Sequence, residues 1–178
     1  MNDASRYPRL CACGDHGFAG LTKGGVALFD APDLEAVYGR IWLLKEGYAK
    51  RTEYEGAEKR DVQMHREILA VSQDHKVDHA NQDRTDNRRR NIRTCSHSEN
   101  MMNRGAWGGV PFKGVDLHKP TGKYRARIKI EGKSIVIGSF ETEHQAARAY
   151  DRAAVQHHGK FARTNNSLGL LGGFSDDR

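Results

Sequence analysis

Val77-Asp78-His79-Ala80-Asn81-Gln82-Asp83-Arg84-Thr85-Asp86-Asn87-Arg88-Arg89-Arg90-Asn91-Ile92-Arg93, closed by Ser96-His97-Ser98-Glu99-Asn100, is the stretch from which this chain of 178 residues can be read. Residues 77–79 have strand character, Asn81-Gln82-Asp83 opens a turn, and the chain returns through Asn91-Ile92-Arg93. Ser96 and Glu99 have the spacing of a capping box, with Ser96 as the cap of a helix that carries Asn100, Met101 and Asn103. Strand, turn, strand and helix make a compact hairpin-plus-helix unit.

The residue types suit phosphodiester hydrolysis, which needs a base for the attacking water, positive charge at the phosphate, and stabilisation of the departing oxygen. His79 titrates near neutrality and meets the first need. Asp78 and Asn100 offer oxygen donors of the kind Mg²⁺ prefers. Arg88, Arg89, Arg90 and Arg93 are able to pair with flanking phosphates. Successive strand residues face opposite ways, so Asp78 and His79 meet at one phosphate only if the strand bends or bulges there. Taken singly, His79 could be a hydrogen-bonded core histidine, Asn91 a turn residue and Asn100 an ordinary helix position. Their joint order argues for a site. His75 and His97 flank it as surface residues.

Upstream, Cys11-Ala12-Cys13-Gly14-Asp15-His16 offers soft ligands, but structural zinc sites usually place two residues between paired cysteines. An exposed, flexible leader is the preferred reading there. Residues 21–30 form a turn running into a strand, and Asp30-Ala31-Pro32-Asp33 starts a helix capped by Asp30 and ending at Gly39. Residues 41–44 and 47–51 read as two strands, and residues 54–60 as a charged loop. Residues 62–69 read as a helix with Met64, Ile68 and Leu69 on one face, His65 being a packed structural residue.

Downstream, residues 105–111 are a glycine-rich linker, after which the period becomes two. Val115 and Leu117 alternate with Asp116 and His118. Tyr124, Ala126, Ile128 and Ile130 alternate with Arg125, Arg127, Lys129 and Glu131. Ile135 and Ile137 alternate with Ser134 and Val136. Three strands follow, with one apolar and one basic face. Thr142-Glu143-His144-Gln145 caps a helix that presents Ala146, Ala147, Ala149, Tyr150, Ala153 and Ala154 to the apolar face and stops near Gly159. The basic face stays open, and a sheet of this kind can enter the major groove of DNA.

Charge supports that direction. The chain is +6 overall; residues 1–81 are net −2, residues 82–112 net +3 and residues 113–163 net +6, as expected if the second half meets a polyanion. No stretch approaches the ~20 apolar residues of a membrane span. The opening residues lack a signal-peptide pattern, and three cysteines fit reduced thiols, so an intracellular protein is expected.

Met64-His65-Arg66, Val77-Asp78-His79, Asp86-Asn87-Arg88, Asn91-Ile92-Arg93 and Glu99-Asn100 with Asn103 resemble the HNH endonuclease family, in the form found in phage and intron-borne homing enzymes. Leu21-Thr22-Lys23-Gly24-Gly25-Val26-Ala27-Leu28 and Gly47-Tyr48-Ala49 extend the likeness over most of residues 20–105. The resemblance implies His79 as general base, Asn91 bracing the hairpin and helping to orient that base, and Asp78 and Asn100 as metal ligands. It also implies products with 5′-phosphate and 3′-hydroxyl ends. Asn rather than His at position 100 suits Mg²⁺ or Mn²⁺ and disfavours zinc.

Lys113-Gly114-Val115, Gly122-Lys123-Tyr124-Arg125-Ala126-Arg127-Ile128, Gly138-Ser139-Phe140 and Ala146-Ala147-Arg148-Ala149-Tyr150-Asp151-Arg152-Ala153-Ala154 resemble the APETALA/ethylene-response-factor DNA-binding domain, and Phe161-Ala162-Arg163-Thr164-Asn165 matches its end. The resemblance puts DNA contacts on Lys113, Lys123, Arg127 and Lys129; Arg125 shares their face. Asp116 and Ser134 stand where plant members are basic, and Val136 where they carry Trp. Phosphate contact is therefore expected, not the plant target sequence.

The expected fold is α+β: a ββα-metal nuclease unit with a small β-rich N-terminal extension, then a three-stranded antiparallel sheet packed on one helix. The expected segments are a leader (1–20), a nuclease domain (21–104), a linker (105–111), a DNA-binding domain (112–166) and a tail (167–178). The expected function is site-specific, metal-dependent cleavage of double-stranded DNA by a homing-type endonuclease in a bacterial or phage-infected cell. No membrane or small-molecule partner is expected, and a monomer is favoured. The alternative is a non-cleaving DNA-binding regulator.

Overall fold

The computed structural model describes residues 7–106 and 109–172; residues 1–6, 107–108 and 173–178, parts of the expected leader, linker and tail, lie outside the described residues. The fold mixes α and β, with several small antiparallel sheets and few helices. The chain divides into two compact units, Met1–Ser96 and His97–Arg178.

In the first unit, β1 (Arg9–Leu10), β2 (His16–Gly20) and β3 (Val26–Asp30) form one antiparallel sheet. A second consists of β4 (Leu43–Lys45), β5 (Tyr48–Glu55) and β6 (Glu58–Gln63), and β7 (Lys76–His79) pairs with β8 (Ile92–Cys95). Two short helices, α1 (Leu34–Val37) and α2 (Met64–Leu69), complete it. One core holds these pieces together: Ala19, Ala27, Phe29, Val37, Trp42, Ala49, Met64, Ile68 and Ile92 are all buried. Each large side chain among them contributes about 1.5–3 kcal/mol by leaving water. Trp42 also meets its polar requirement, since its indole Nε1 donates to Val37 O at 3.1 Å.

Three local expectations change here. Residues 9–20, read as leader, supply β1 and β2. Gly17 fits there because the Phe29 ring lies where a Cβ would stand, 2.2 Å away. Residues 54–60, read as a charged loop, are the ends of β5 and β6 around a turn at Gly56. Both faces of that ribbon are polar, so no apolar alternation betrays it. Asp30 does not cap a helix with its side chain; residues 31–33 form a 3-10 turn, and the Asp30 carboxylate instead accepts from the Arg89 backbone N–H at 2.7 Å.

In the second unit, α3 (His97–Met102) precedes a sheet of β9 (Val115–His118), β10 (Lys123–Ile130) and β11 (Lys133–Phe140), ordered β11-β10-β9, and α4 (Glu143–His158). The capping box of α4 forms as the sequence implies: Gln145 N–H donates to Thr142 Oγ1, and the Gln145 side chain accepts from the Thr142 N–H. Ala126 and Ile128 on the sheet are buried with Ala146, Ala147, Ala149, Tyr150 and Ala154 of the helix. Alanine on the helix permits this close approach. Gly114, at φ +73°, passes under the Tyr150 ring, where a Cβ would come within 2.0 Å.

Candidate active site and nucleic-acid interface

β7 and β8 pair in regular antiparallel register, Asp78 opposite Arg93 and His79 opposite Ile92. The expected bulge is absent, so Asp78 and His79 take opposite faces of the strand. Asp78 is buried and bound by Arg93, whose Nε and Nη2 donate to Asp78 Oδ2 at 3.0 and 2.7 Å. His79, the last residue of β7, is buried against other rings. Its imidazole meets that of His65 edge-on at 4.9 Å and the Tyr48 ring at 5.9 Å. Arg84 from the following loop lies over the Tyr48 ring at 4.7 Å.

The loop between the strands is ordered by its own side chains. Asn91, also buried, accepts from the Asn81 N–H at 2.9 Å and donates to Asp86 O at 2.7 Å. Asp83 closes a local turn by accepting from Thr85 N–H and Thr85 Oγ1. The loop is then tied to β3: Leu28 N–H donates to Thr85 O at 2.9 Å, and Asn87 N–H to Leu28 O at 2.8 Å. His79 thus sits at the end of a strand whose exit loop is held at both ends.

Electrostatics favour a neutral imidazole at position 79. Burial lowers its pKa; the Asn87 side-chain hydrogen bond and the Asp78 charge work in the other direction without reversing the result. His65 is pushed down to about 3, first by burial and then by the neighbouring His79, Arg66 and Lys50. A neutral imidazole can accept a proton, as a general base must.

The arginines are more committed than the sequence implies. Arg88 makes a two-pronged pair with Asp86 at 2.7 Å on each oxygen, which lowers the Asp86 pKa. Arg89 grips the buried Asp33 carboxylate and also donates to Ile68 O at 2.9 Å, tying the loop to residues 56 and 21 positions earlier. Arg93 belongs to Asp78. Arg90 is exposed and, among the described residues, holds no ion pair or side-chain hydrogen bond.

Asn100 lies half-buried in α3, which belongs to the second unit, while Asp78 belongs to the first. Asp78 is a carboxylate and Asn100 an amide, each by itself an oxygen donor of the kind a hard cation takes.

On the three-stranded sheet, Arg125, Arg127 and Lys129 of β10 alternate with the buried Ala126 and Ile128 and so share the face away from α4. Arg125 donates to Asp116 on the neighbouring strand, and Arg127 lies 3.8 Å from the same carboxylate. Lys123 pairs with Glu141 on an exposed edge. Lys129 is exposed and holds no side-chain ion pair among the described residues. A register shift between Ala126 and Arg127 brings Val136 opposite Arg127, on the open face, where it is half exposed. Lys113 behaves differently. Its ammonium donates to Met102 O and lies 5.9 Å from the Tyr150 ring centre, and burial lowers its pKa to about 8.

Sequence reasoning did not single out Tyr48, Arg84 or Asn87. Their roles depend on contacts across the first unit, and only the presence of all three within the quoted motifs could have pointed to them.

Residues 70–102 match the family model of the HNH endonuclease. The AP2-like ethylene-responsive transcription factor TOE2 of Arabidopsis thaliana is 43% identical over 58 residues, 33% of this chain and 12% of that protein. APETALA2-like protein 2 of Oryza sativa subsp. indica is 42% identical over 57 residues, 32% of this chain and 13% of that protein. The chain thus spans about an eighth of the length of these relatives. No solved structure gives a significant match.

Proposed function

We propose that this chain is a site-specific DNA endonuclease of the HNH homing type, with His79 as its general base. The carrying observation is a buried histidine, kept neutral by its surroundings, at the end of a β-hairpin whose exit loop is braced by Asn91. The match to the HNH endonuclease over residues 70–102 supports the same reading.

In this reading His79 accepts the proton of the water that attacks phosphorus. The new P–O bond forms as the P–O3′ bond breaks, leaving a 5′-phosphate and a 3′-hydroxyl. Rings of His65 and Tyr48 orient the imidazole and limit its hydration, and Asn91 fixes the loop that follows it. Asp78 and Asn100 would each offer an oxygen to Mg²⁺ or Mn²⁺, which when bound neutralises charge at the phosphate and departing oxygen. Because regular pairing turns Asp78 and His79 to opposite faces, this reading requires Asp78 to leave Arg93 and the end of β7 to bend when DNA binds. Arg90 is the loop cation open to a flanking phosphate; Arg88, Arg89 and Arg93 would need to exchange carboxylate partners for phosphate. Duplex DNA lies on the open sheet face, against Arg125, Arg127 and Lys129 with Lys123 at its edge. The setting in this reading is the interior of a bacterial or phage-infected cell, and the working state is a monomer.

The test is incubation of random-library DNA with the full chain and Mg²⁺, followed by sequencing of the ends, with an EDTA control and a His79→Ala variant. Discrete ends that require both Mg²⁺ and His79 are expected, with DNA binding kept by the variant. Cleavage by His79→Ala at the wild-type rate would remove the assignment. The likeness to proteins named as transcription factors favours a second reading, a non-cleaving DNA-binding regulator; binding without Mg²⁺-dependent ends would select it.

A further inference from the structure

The β1–β2 hairpin brings together three soft ligands whose sequence spacing argued against a metal. Cys11 and His16 face one another where the hairpin closes, joined by the Cys11 N–H to His16 O bond at 2.8 Å, and Gly14 N–H returns to Cys11 O at 3.0 Å. Gly14 has φ +79°, the left-handed conformation that lets so short a turn fold back. Cys13, carried on that turn, places its Sγ 3.3 Å from His16 Nδ1. One ligand atom from each of Cys11, Cys13 and His16 lies within 4.8 Å of the other two.

We propose that Cys11, Cys13 and His16 bind one zinc ion through two thiolates and the His16 imidazole, with water in the fourth position. Tetrahedral zinc with Zn–S near 2.3 Å and Zn–N near 2.0 Å sets its ligand atoms about 3.5–3.8 Å apart. The Cys13–His16 separation already has that scale, and the 4.8 Å bound on the other separations exceeds it by about 1 Å. The usual two-residue spacing serves a turn in which both cysteines come from one knuckle. Here the opposing strand supplies the third ligand, so a single intervening residue suffices. Binding releases one proton from each thiol, so affinity rises with pH. Cys13 is exposed and Cys11 and His16 are partly exposed, giving the ion a path in. The ion would pin β1 to β2, and β2 carries the buried Ala19 of the first unit's core. This site is independent of the nuclease reading and of Asp78 and Asn100.

The test uses the full chain, purified with a reductant, stripped with EDTA and dialysed. Titration with Zn²⁺ should reach one ion per chain, and Co²⁺ in its place should give a thiolate-to-cobalt charge-transfer band in the near ultraviolet. Cys13→Ser, on the exposed turn, removes a ligand without touching the core and should weaken zinc binding about a hundredfold or more. Asp78→Ala should keep full zinc. The proposal is overturned by zinc content near zero after reconstitution, by equal affinity in wild type and Cys13→Ser, by Co²⁺ binding without the charge-transfer band, or by binding of Cu(I) but not Zn²⁺.

Discussion

Acid should destabilise the first unit through His65, and the size of the effect follows from its burial. In the native state its pKa is held at about 3, whereas in the unfolded chain it is near 6.5. The unfolded chain therefore binds the extra proton across that window, so stability is complete above pH 6.5 and falls as the pH drops toward 3. At pH 5 the loss from this residue alone is about 2 kcal/mol. His79, also depressed, acts in the same direction, so the comparison must isolate His65. His65→Leu does so at little cost at pH 8, because His65 Nδ1 is buried with no hydrogen-bond partner among the described residues. Urea unfolding would be followed by fluorescence of Trp42, which is fully buried in the same core, in a Trp107→Phe background at pH 8 and pH 5. The wild type should lose about 2 kcal/mol more than His65→Leu between the two pH values. Equal losses would show that the buried imidazole is not what couples this unit to protons.

Asn91→Ala removes the acceptor of Asn81 N–H and the donor to Asp86 O, and should destabilise the first unit by about 2–3 kcal/mol in urea; a change within about 0.5 kcal/mol would deny the bracing role. Lys129→Ala should lower the slope of log affinity for duplex DNA against log salt by about one. Lys113→Gln should leave that slope unchanged, because the ammonium is turned toward Met102 O; an equal drop in both variants would mean that Lys113 swings out to the phosphates. Gly114→Ala combines φ +73° with a Cβ 2.0 Å from the Tyr150 ring and should cost the second unit more than about 3 kcal/mol, read as a lost or shifted thermal transition by circular dichroism.

Two parts of the molecule were legible because local and tertiary demands agree. β10 alternates strictly, and its apolar half is the half that α4 covers. The Thr142–Gln145 box and Gly159 bound α4 as written, since capping is satisfied within a few residues. At the candidate site, the strand pair around His79 and the position of Asn91 were legible for the same reason.

What stayed hidden depends on distance along the chain. Arg89 looked like a phosphate ligand because its partner Asp33 is 56 residues away. Lys113 looked like a DNA contact because nothing local says that a lysine beside Gly114 folds inward. β1 has only two residues, too few for periodicity, and β2 carries glycine where its neighbour is a phenylalanine ring. The absence of a bulge at residues 78–79 is also a tertiary fact: Arg93 across the ladder holds Asp78 in regular register.

Asn165 is fully buried and accepts from Lys113 N–H at 2.6 Å while donating to Lys113 O at 3.1 Å; its own N–H goes to Asp151. A single amide thus fastens the start of the sheet-and-helix segment to its finish. A segment whose entrance and exit are clasped side by side can be spliced into a loop of an unrelated host without prying that host apart. A host would then have to bridge only one short gap, while Met102, Val110, Leu170 and Leu171 on either side still lend the cassette a hydrogen-bond acceptor and some apolar cover.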